Sequence, residues 1–309
     1  MKQSPTEVIR RGFEITVATW PMMLIRVAEH LLMIVIAIAA VIAIIVPIAV
    51  SAGLGDFKLD TPDESANMIV AALIEHWTLF VFILLVITVV AIICVAIHSF
   101  VQAGSADVYM DAGRALQPIG PEDGLRTRPA FEVDRFMSGG KRGWLRIFWL
   151  YNIAWLFSGV VLLVPILPVP FIITMGQASM GSIVAGCAIL ALWGFFAMFV
   201  CVLTVLWTTK ATAVAMRRDL QAREALAEAR RDIRADFGSH FAVGFVMMVI
   251  WFGGSALIGT MSTILSAGHA TPLALLTAPV HIVLSLVSTA FSAAVEGWFL
   301  ASFIALTES

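Results

Sequence analysis

The sequence predicts an all-α, polytopic membrane protein with six transmembrane helices. Six apolar runs each reach or exceed about 20 residues, the length that crosses roughly 30 Å of hydrocarbon at about 1.5 Å per residue. Composition agrees, because 60% of the 309 residues are hydrophobic and 13% are charged, unlike a soluble globular domain. The runs lie near 22–50, 69–101, 147–175, 183–209, 241–264 and 274–305.

The spans pair into three hairpins within a single membrane domain, and each hairpin follows a polar or amphipathic segment. This order suggests a pseudo-threefold hairpin repeat with interfacial helices between the hairpins. The segments are an amphipathic helix at 1–21, hairpin 1 at 22–101, a cytoplasmic loop at 102–146, hairpin 2 at 147–209, a cytoplasmic helical segment at 210–237 and hairpin 3 at 238–309.

The start signal of the first helix is the clearest local motif in the chain. Ser4 suits the N-cap, Pro5 suits the first helical position, and Glu7 completes a capping box. Phe13 and Trp20 then follow on one apolar face at helical spacing. We expect this helix to lie in the headgroup region with Phe13 and Trp20 as anchors.

Two less regular segments precede the second and third hairpins. Residues 138–143 form a basic, glycine-rich stretch that we expect to be flexible, and Trp144 follows it as a further interfacial anchor. Residues 213–237 are rich in Arg, Glu and Ala and form helix readily. Two interpretations of this last segment stay open, a solvated extension of the fourth span or a helix lying on the membrane.

Lys and Arg are distributed unequally between the two sets of connections. The termini and the two long links hold seventeen of these residues, whereas the opposite set holds only Lys58, in an acidic loop. Because basic residues beside spans stay in the cytoplasm, we expect both termini to be cytoplasmic. The first apolar run is far longer than the roughly 7–15-residue core of a cleavable leader, so we expect it to remain as a span.

Ionisable and polar side chains inside the spans are candidates for function, because lipid makes them costly unless they are paired or hydrated. Several lie at similar predicted depth, roughly 12–13 Å inside the cytoplasmic boundary, which suggests a polar layer. This layer permits structural pairing, for example of Arg26 with Glu29, or a functional cavity. His240 falls at a span edge, where we expect solvent to satisfy it. The candidates near the layer are Arg26, Glu29, His98, Asn152, Lys210 and Glu296.

The sixth span carries a continuous polar stripe. Its members are His281, Ser285, Ser288, Ser292 and Glu296, at successive spacings of 4, 3, 4 and 4. Small residues alone would indicate close helix packing. Because this stripe ends in a carboxylate, we favour the interpretation that it lines a hydrated crevice, in which Glu296 could carry a proton.

Motifs for metal, cofactor or nucleotide chemistry are absent from the sequence. Cys94, Cys187 and Cys201 lie inside apolar spans without metal-ligand spacing. His98 and His281 lack the matched partner that a haem or pigment site would need. HExxH, GxSxG and Walker A patterns do not occur. We therefore expect no cofactor, no metal and no nucleic-acid partner, and an enzyme could only be built from scattered intramembrane polar residues.

Residues 8–15, VIRRGFEI, with Trp20 just before a long Leu/Ile/Ala span, resemble the start of the YciC-like bacterial membrane proteins. They are also similar to the membrane domain attached to some glycerophosphodiester phosphodiesterases, although the phosphodiesterase barrel is absent from this chain. The resemblance implies a bacterial inner-membrane location and a link to lipid or envelope upkeep. It transfers no catalytic residue.

Three functional hypotheses follow. The first is a non-enzymatic protein that handles or organises lipids or other amphiphiles at the cytoplasmic leaflet, with membrane lipids as its partners. The second is a proton-coupled transporter or channel that uses the polar stripe and Glu296. The third is an accessory subunit whose basic cytoplasmic segments dock a protein partner, or a second copy of the chain.

Overall fold

The computed structural model describes residues 4–51, 77–116, 131–163, 180–266 and 274–308. All regular structure in these ranges is helical, and six helices are long and apolar enough to cross a membrane, which confirms the predicted fold class. The acidic loop around Lys58 lies outside the described residues. The helices are α1 Pro5–Ala18, α2 Pro21–Ser51, α3 Trp77–Ala115, α4 Val133–Leu163, α5 Met180–Arg218, α6 Ala222–Ala235, α7 Phe237–Ser266 and α8 Ala274–Glu308.

The chain divides into two compact units. The first unit comprises Met1–Arg26 and Ser99–Ser309, and therefore contains α1, the start of α2, the end of α3 and all of α4 to α8. The second unit comprises Val27–His98, which covers most of α2 and the first part of α3.

Several helices are longer than a bilayer requires. Both α3 and α5 have 39 residues, and that length corresponds to about 58 Å of helix against roughly 30 Å of hydrocarbon. In the first unit the buried side chains gather where α3, α5 and α8 end and where α4 and α7 begin, as Tyr109, Ala211, Ile304, Phe136 and Val243 illustrate. We call this region, together with α1 and α6, the basic end.

The predicted capping box of α1 is present. The Oγ of Ser4 accepts a hydrogen bond from the backbone N–H of Glu7 at 3.3 Å, and the Ser4 N–H donates to the Glu7 carboxylate at 2.8 Å. The backbone hydrogen bond from Ser4 holds the pKa of Glu7 below its usual value. Ionised Glu7 therefore supports the start of α1, and that support is lost as the pH falls through the lowered pKa.

One face of α1 is seated on α8. Gly12 packs so closely there that a Cβ would lie 2.7 Å from the backbone nitrogen of Ser302. The Trp298 indole donates to the carbonyl oxygen of Ile9 at 2.8 Å, and its ring meets Phe13 edge-on at 5.2 Å between centroids. The helix is therefore fixed to protein on one side, while its other side remains open.

The three expected interfacial anchors keep large exposed areas. Phe13, Trp20 and Trp144 are 51%, 58% and 38% exposed. Exposure of aromatic rings near the basic end suits contact with headgroups, where one part of the ring can be apolar and another wet. Their membrane contact itself stays a prediction.

The glycine-rich stretch at 138–143 differs from the expectation of flexibility, because it lies inside helix α4. Its glycines permit close helix contact. A Cβ on Gly139 would lie 2.6 Å from the Cβ of Asp107, and one on Gly140 would lie 2.6 Å from the ring of Phe100. The stretch is thus a packing surface against α3, and the cost of glycine in a helix is offset by that approach.

A tight turn reverses the chain between α5 and α6. Asp219 has a positive φ of 55°, and the N–H of Leu220 donates to the carbonyl of Ala215 at 3.2 Å, which is a Schellman-type helix end. The Arg146 guanidinium donates a hydrogen bond to Asp219 and lowers the pKa of that carboxyl. The turn places α6 back against α4, α5 and α7.

Helix α6 is docked on the protein, so neither interpretation left open for residues 213–237 describes it fully. Its buried face consists of Ala222, Ala225, Leu226 and Ala229. The Trp207 indole of α5 donates to the carbonyl oxygen of Leu226 at 2.9 Å. Small side chains allow α6 to lie close to α5, and its charged side chains remain on the other faces.

The contact of Gly12 with Ser302 yields a test of the α1 seat. Replacing Gly12 by Ala should lower the free energy of unfolding by about 1–3 kcal/mol, because the new methyl group overlaps the backbone of α8. Gly253→Ala is the matched control, since no described atom lies within 4 Å of its added Cβ, and it should be neutral or stabilising by up to about 1 kcal/mol. Thermal unfolding of both variants in detergent measures the difference, and equal melting temperatures would contradict the seat.

Candidate functional site

Arg26 and Glu296 form an ion pair in the first unit. Arg26 is fully buried, and its Nη1 lies 2.8 Å from Oε1 of Glu296. Its Nη2 donates to the side-chain oxygen of Gln102 at 3.1 Å, and the amide of Gln102 donates in turn to Glu296. These three side chains close a ring that joins α2, α3 and α8, which is the structural pairing that the sequence left open.

A second pair lies in the second unit. The Nδ1 of His98 is 2.7 Å from Oε1 of Glu29, and the Glu29 side chain is almost wholly buried. The short contact satisfies one oxygen of a carboxylate that would otherwise be costly in an apolar setting. Each of these two candidates from the sequence therefore has a specific partner.

Lys210 reaches towards α6 and α8. Its side chain is 2% exposed, and the ammonium lies 3.5 Å from the carboxylate of Asp232 and donates to the hydroxyl of Thr307 at 3.1 Å. The side chain is thus held inside the protein at the basic end. Asn152, another candidate, donates to the carbonyl of Phe148 in its own helix at 2.8 Å.

The polar stripe of α8 has mixed surroundings. Ser285 is exposed, whereas His281, Ser288 and Ser292 are partly buried. Towards the basic end the stripe meets the Arg26–Glu296 pair described above. A hydrated crevice along the stripe stays a prediction.

The structure contains a groove that the sequence analysis did not anticipate. It is a cavity of about 480 Å³ between α4, α5, α6 and α7 in the first unit, within the roughly 300–1,000 Å³ usual for small-molecule sites. Apolar and aromatic side chains dominate its walls. They include Phe157, Val161, Val200, Leu203, Leu206, Trp207, Ile233, Phe237 and Phe241.

Helix-to-helix contacts hold the walls of the groove in place. The hydroxyls of Ser158 and Thr204 lie 2.5 Å apart and join α4 to α5. Phe157 meets Trp207 edge-on at 6.3 Å between centroids, and Phe157 is also 62% exposed. The groove is therefore bounded by fixed side chains and has an exposed apolar edge.

Two arginines of α6 line the same groove. Arg230 and Arg234 are one helical turn apart, so their guanidinium groups project from one face. Both are exposed, and neither forms an ion pair with any residue in the described part of the chain. Their neighbour Arg231, by contrast, pairs with Glu228 at 3.1 Å. The groove thus combines an apolar interior with two positive charges that no acidic side chain of the described ranges pairs with.

His240 of α7 also lines the groove, and the expectation that solvent satisfies it is wrong. The side chain is 5% exposed, and its Nδ1 bonds to the backbone carbonyl oxygen of Asp236 at 2.8 Å. The Nε2 is buried and has no hydrogen-bond partner among the described residues. Such an atom is rare in native proteins, and here it belongs to a side chain that lines the groove.

Sequence reasoning missed the groove because its residues are ordinary when each is considered alone. Arg230 and Arg234 belong to a run of charged residues, and His240 stands just beyond it. The available signal was their spacing around Ile233 and Phe237, which puts basic and aromatic side chains beside the start of a span. Recognising a groove also required the position of α6 against α5.

Comparison with protein-family models, curated proteins and solved structures finds no match for this chain. Among the described residues, no group of three or more His, Cys, Asp or Glu side chains could hold a metal ion.

The Arg26–Glu296 pair predicts a stability effect. Glu296→Gln should destabilise the protein by roughly 2–4 kcal/mol, because the buried Arg26 loses its counter-charge; the 28% exposure of Glu296 keeps the loss below that of a fully buried pair. Adding Arg26→Met should recover part of this loss, since no unpaired charge then remains. Thermal unfolding in detergent measures both variants.

Glu14→Gln serves as the control, because Glu14 pairs with Arg10 at 3.7 Å on the exposed face of α1. Its effect should stay within about 0.5 kcal/mol. A Glu296→Gln protein that melts like this control would show that the pair does not support the fold.

Proposed function

We propose that the chain is a non-enzymatic membrane protein that binds an anionic amphiphile in the groove between α4, α5, α6 and α7. Through that site it handles or organises lipids at the cytoplasmic leaflet of a bacterial inner membrane. The observation that carries the proposal is an apolar cavity of about 480 Å³ bordered by the guanidinium groups of Arg230 and Arg234, which form no ion pair with the residues that the structure describes.

The chemistry of the groove suits both parts of an amphiphile. The walls formed by residues such as Val200 and Leu203 provide apolar contact for a hydrocarbon chain. Arginine binds phosphate and carboxylate oxygens through paired N–H donors. A purely apolar ligand would leave both arginines without a counter-charge, and a small soluble anion would leave the apolar walls unfilled.

The cytoplasmic leaflet is the side that the basic residues favour. Arg230 and Arg234 belong to the set of seventeen basic residues that the sequence assigns to the cytoplasm. The exposed Phe13 and Trp20 of α1 supply further contact area for headgroups at the same end. The resemblance to YciC-like proteins, with its link to envelope upkeep, agrees with this location.

The transporter hypothesis receives less support from the described residues. It assigned proton transfer to Glu296, whose carboxylate lies 2.8 Å from the fully buried Arg26. The ion pair with this guanidinium gives Glu296 a structural role in joining α2 to α8. The accessory-subunit hypothesis shares its basic surface with the lipid proposal, and an experiment on bound ligands separates the two.

The two groove arginines provide the direct test. Arg230→Gln combined with Arg234→Gln should weaken binding of an anionic phospholipid at least about tenfold, because charge-assisted hydrogen bonds are lost. Binding can be measured by native mass spectrometry of protein titrated with phosphatidylglycerol in detergent. Binding of phosphatidylcholine should change little.

Arg223→Gln combined with Arg231→Gln is the matched control. These two arginines lie on the same helix but do not line the groove, so the variant loses the same charge without losing the site. If both double variants lose lipid binding equally, the arginines attract lipid only as a nonspecific basic surface and the groove is not the site. If neither variant loses lipid binding, the proposal is contradicted.

The proposed leaflet predicts a labelling pattern. In a chain whose own cysteines are replaced by alanine, a cysteine at Arg223 should resist an impermeant thiol reagent applied to intact cells and react after permeabilisation. A cysteine at Asp60, which lies outside the described residues, should react in intact cells. The reverse pattern would overturn the assignment to the cytoplasmic leaflet and leave the groove itself untouched.

A further inference from the structure

We infer that the ligand of the groove is a phospholipid whose headgroup combines a phosphate with a hydroxyl group, the phosphate contacting Arg230 and Arg234 and the hydroxyl donating to Nε2 of His240. The inference rests on the proposed function, because it specifies the headgroup that the same groove recognises.

The hydrogen bond of His240 determines which ring nitrogen carries the proton. A backbone carbonyl oxygen only accepts hydrogen bonds, so the Nδ1 that lies 2.8 Å from the carbonyl of Asp236 must be the donor. In the neutral ring this leaves a lone pair on Nε2, the buried atom without a described partner. Charging the ring would place a buried cation beside the exposed guanidinium groups of Arg230 and Arg234.

The groove therefore presents donors and an acceptor together. The guanidinium groups of Arg230 and Arg234 can only donate hydrogen bonds, whereas the Nε2 of neutral His240 can only accept one. A ligand that satisfies all three needs acceptor oxygens with negative charge and a separate hydrogen-bond donor, and a neutral O–H supplies that donor without adding a further cation beside the two arginines. A hydroxyl-bearing headgroup on a phosphodiester meets this requirement.

Other anionic amphiphiles leave one part of the site unsatisfied. An ionised fatty acid offers acceptors to Arg230 and Arg234 but no donor to His240. A phosphodiester with an alkyl headgroup has the same deficiency. Since a buried polar atom without a partner is unfavourable, the site should discriminate between headgroups of equal charge by the presence of a hydroxyl.

The membrane itself is the source that the groove favours over soluble phosphates. Exposed aromatic rings such as Phe157 and Phe237 border the groove, so an acyl chain could enter from the side without crossing water. A soluble glycerol phosphate carries the same polar groups but would leave the walls around Val200 and Leu203 without contact. The lipid chain and its headgroup are thus recognised by separate parts of one site.

The test uses lipids with identical acyl chains. Phosphatidylglycerol and phosphatidylethanol both carry one negative charge, but only the first has hydroxyl donors in its headgroup. Native mass spectrometry of the full chain in detergent, titrated with each lipid, should show phosphatidylglycerol bound about two- to tenfold more tightly, the effect of one hydrogen bond. Phosphatidylcholine and soluble glycerol 1-phosphate should both bind more weakly than either.

A variant assigns the difference to His240. His240→Leu removes the acceptor and should abolish the preference for phosphatidylglycerol over phosphatidylethanol while keeping the preference of both over phosphatidylcholine. Ser239→Ala, at the adjacent position that does not line the groove, should keep the full preference. The lipid comparison on the unmodified chain does not depend on the folding of either variant.

The outcomes separate this inference from the proposed function. If phosphatidylethanol binds as tightly as phosphatidylglycerol and both exceed phosphatidylcholine, the hydroxyl contact is refuted and the anionic groove remains. If neither anionic lipid exceeds phosphatidylcholine, the proposed function itself fails. If glycerol 1-phosphate competes as well as the lipid, the site recognises a soluble phosphate, and the assignment to a phospholipid is overturned.

Discussion

The ion pair between the buried Lys210 and Asp232 is the interaction on which the geometry of the basic end depends. The Lys210 ammonium lies 3.5 Å from Asp232 of α6 and 3.1 Å from the hydroxyl of Thr307 near the end of α8, so one side chain joins α5 to two other helices. A buried cation requires such partners because desolvation is costly. Since only Asp236 separates α6 from α7, the position of α6 also determines where α7 starts. The ion pair of Lys210 with Asp232, together with the Trp207–Leu226 hydrogen bond, therefore helps to position the walls of the groove.

Packing density differs along the helices for a related physical reason. Lipid gives apolar helices little hydrophobic drive to associate, so association in the membrane depends on close contact and polar bonds. At the basic end, helices such as α3 and α5 extend beyond the length of the hydrocarbon. Outside the hydrocarbon, the hydrophobic effect favours the burial of apolar side chains. Alanine and glycine positions, among them Gly139 and Gly140, then allow the close approach that forms the core. Apolar walls nearer the membrane can remain apart, because lipid fills the space between them.

The sequence predicted those features that depend on local order along the chain. Six spans followed from hydropathy, and the capping box at Ser4 and Glu7 followed from residue spacing. Partners distant in the chain could not be derived in this way. Local spacing permitted Arg26 to pair with Glu29 on its own helix, whereas the structure joins Arg26 to Glu296 and brings His98 to Glu29. His240 was assigned to solvent, because nothing in its neighbours indicates that α6 and α7 together bury it.

The contrast between matched and unmatched charges indicates where function lies in this chain. The charge of Arg26 is balanced by Glu296 inside the protein, so this pair offers little electrostatic attraction to a ligand. Arg230 and Arg234 border an apolar groove with no acidic partner among the described residues, and that arrangement is stabilised when an anion arrives from outside. An ion pair such as Arg26–Glu296 holds helices together, whereas two like charges such as those of Arg230 and Arg234 favour the binding of an anion. The groove, and not the polar layer that the sequence first indicated, is therefore the site to which we assign ligand binding in the proposed function.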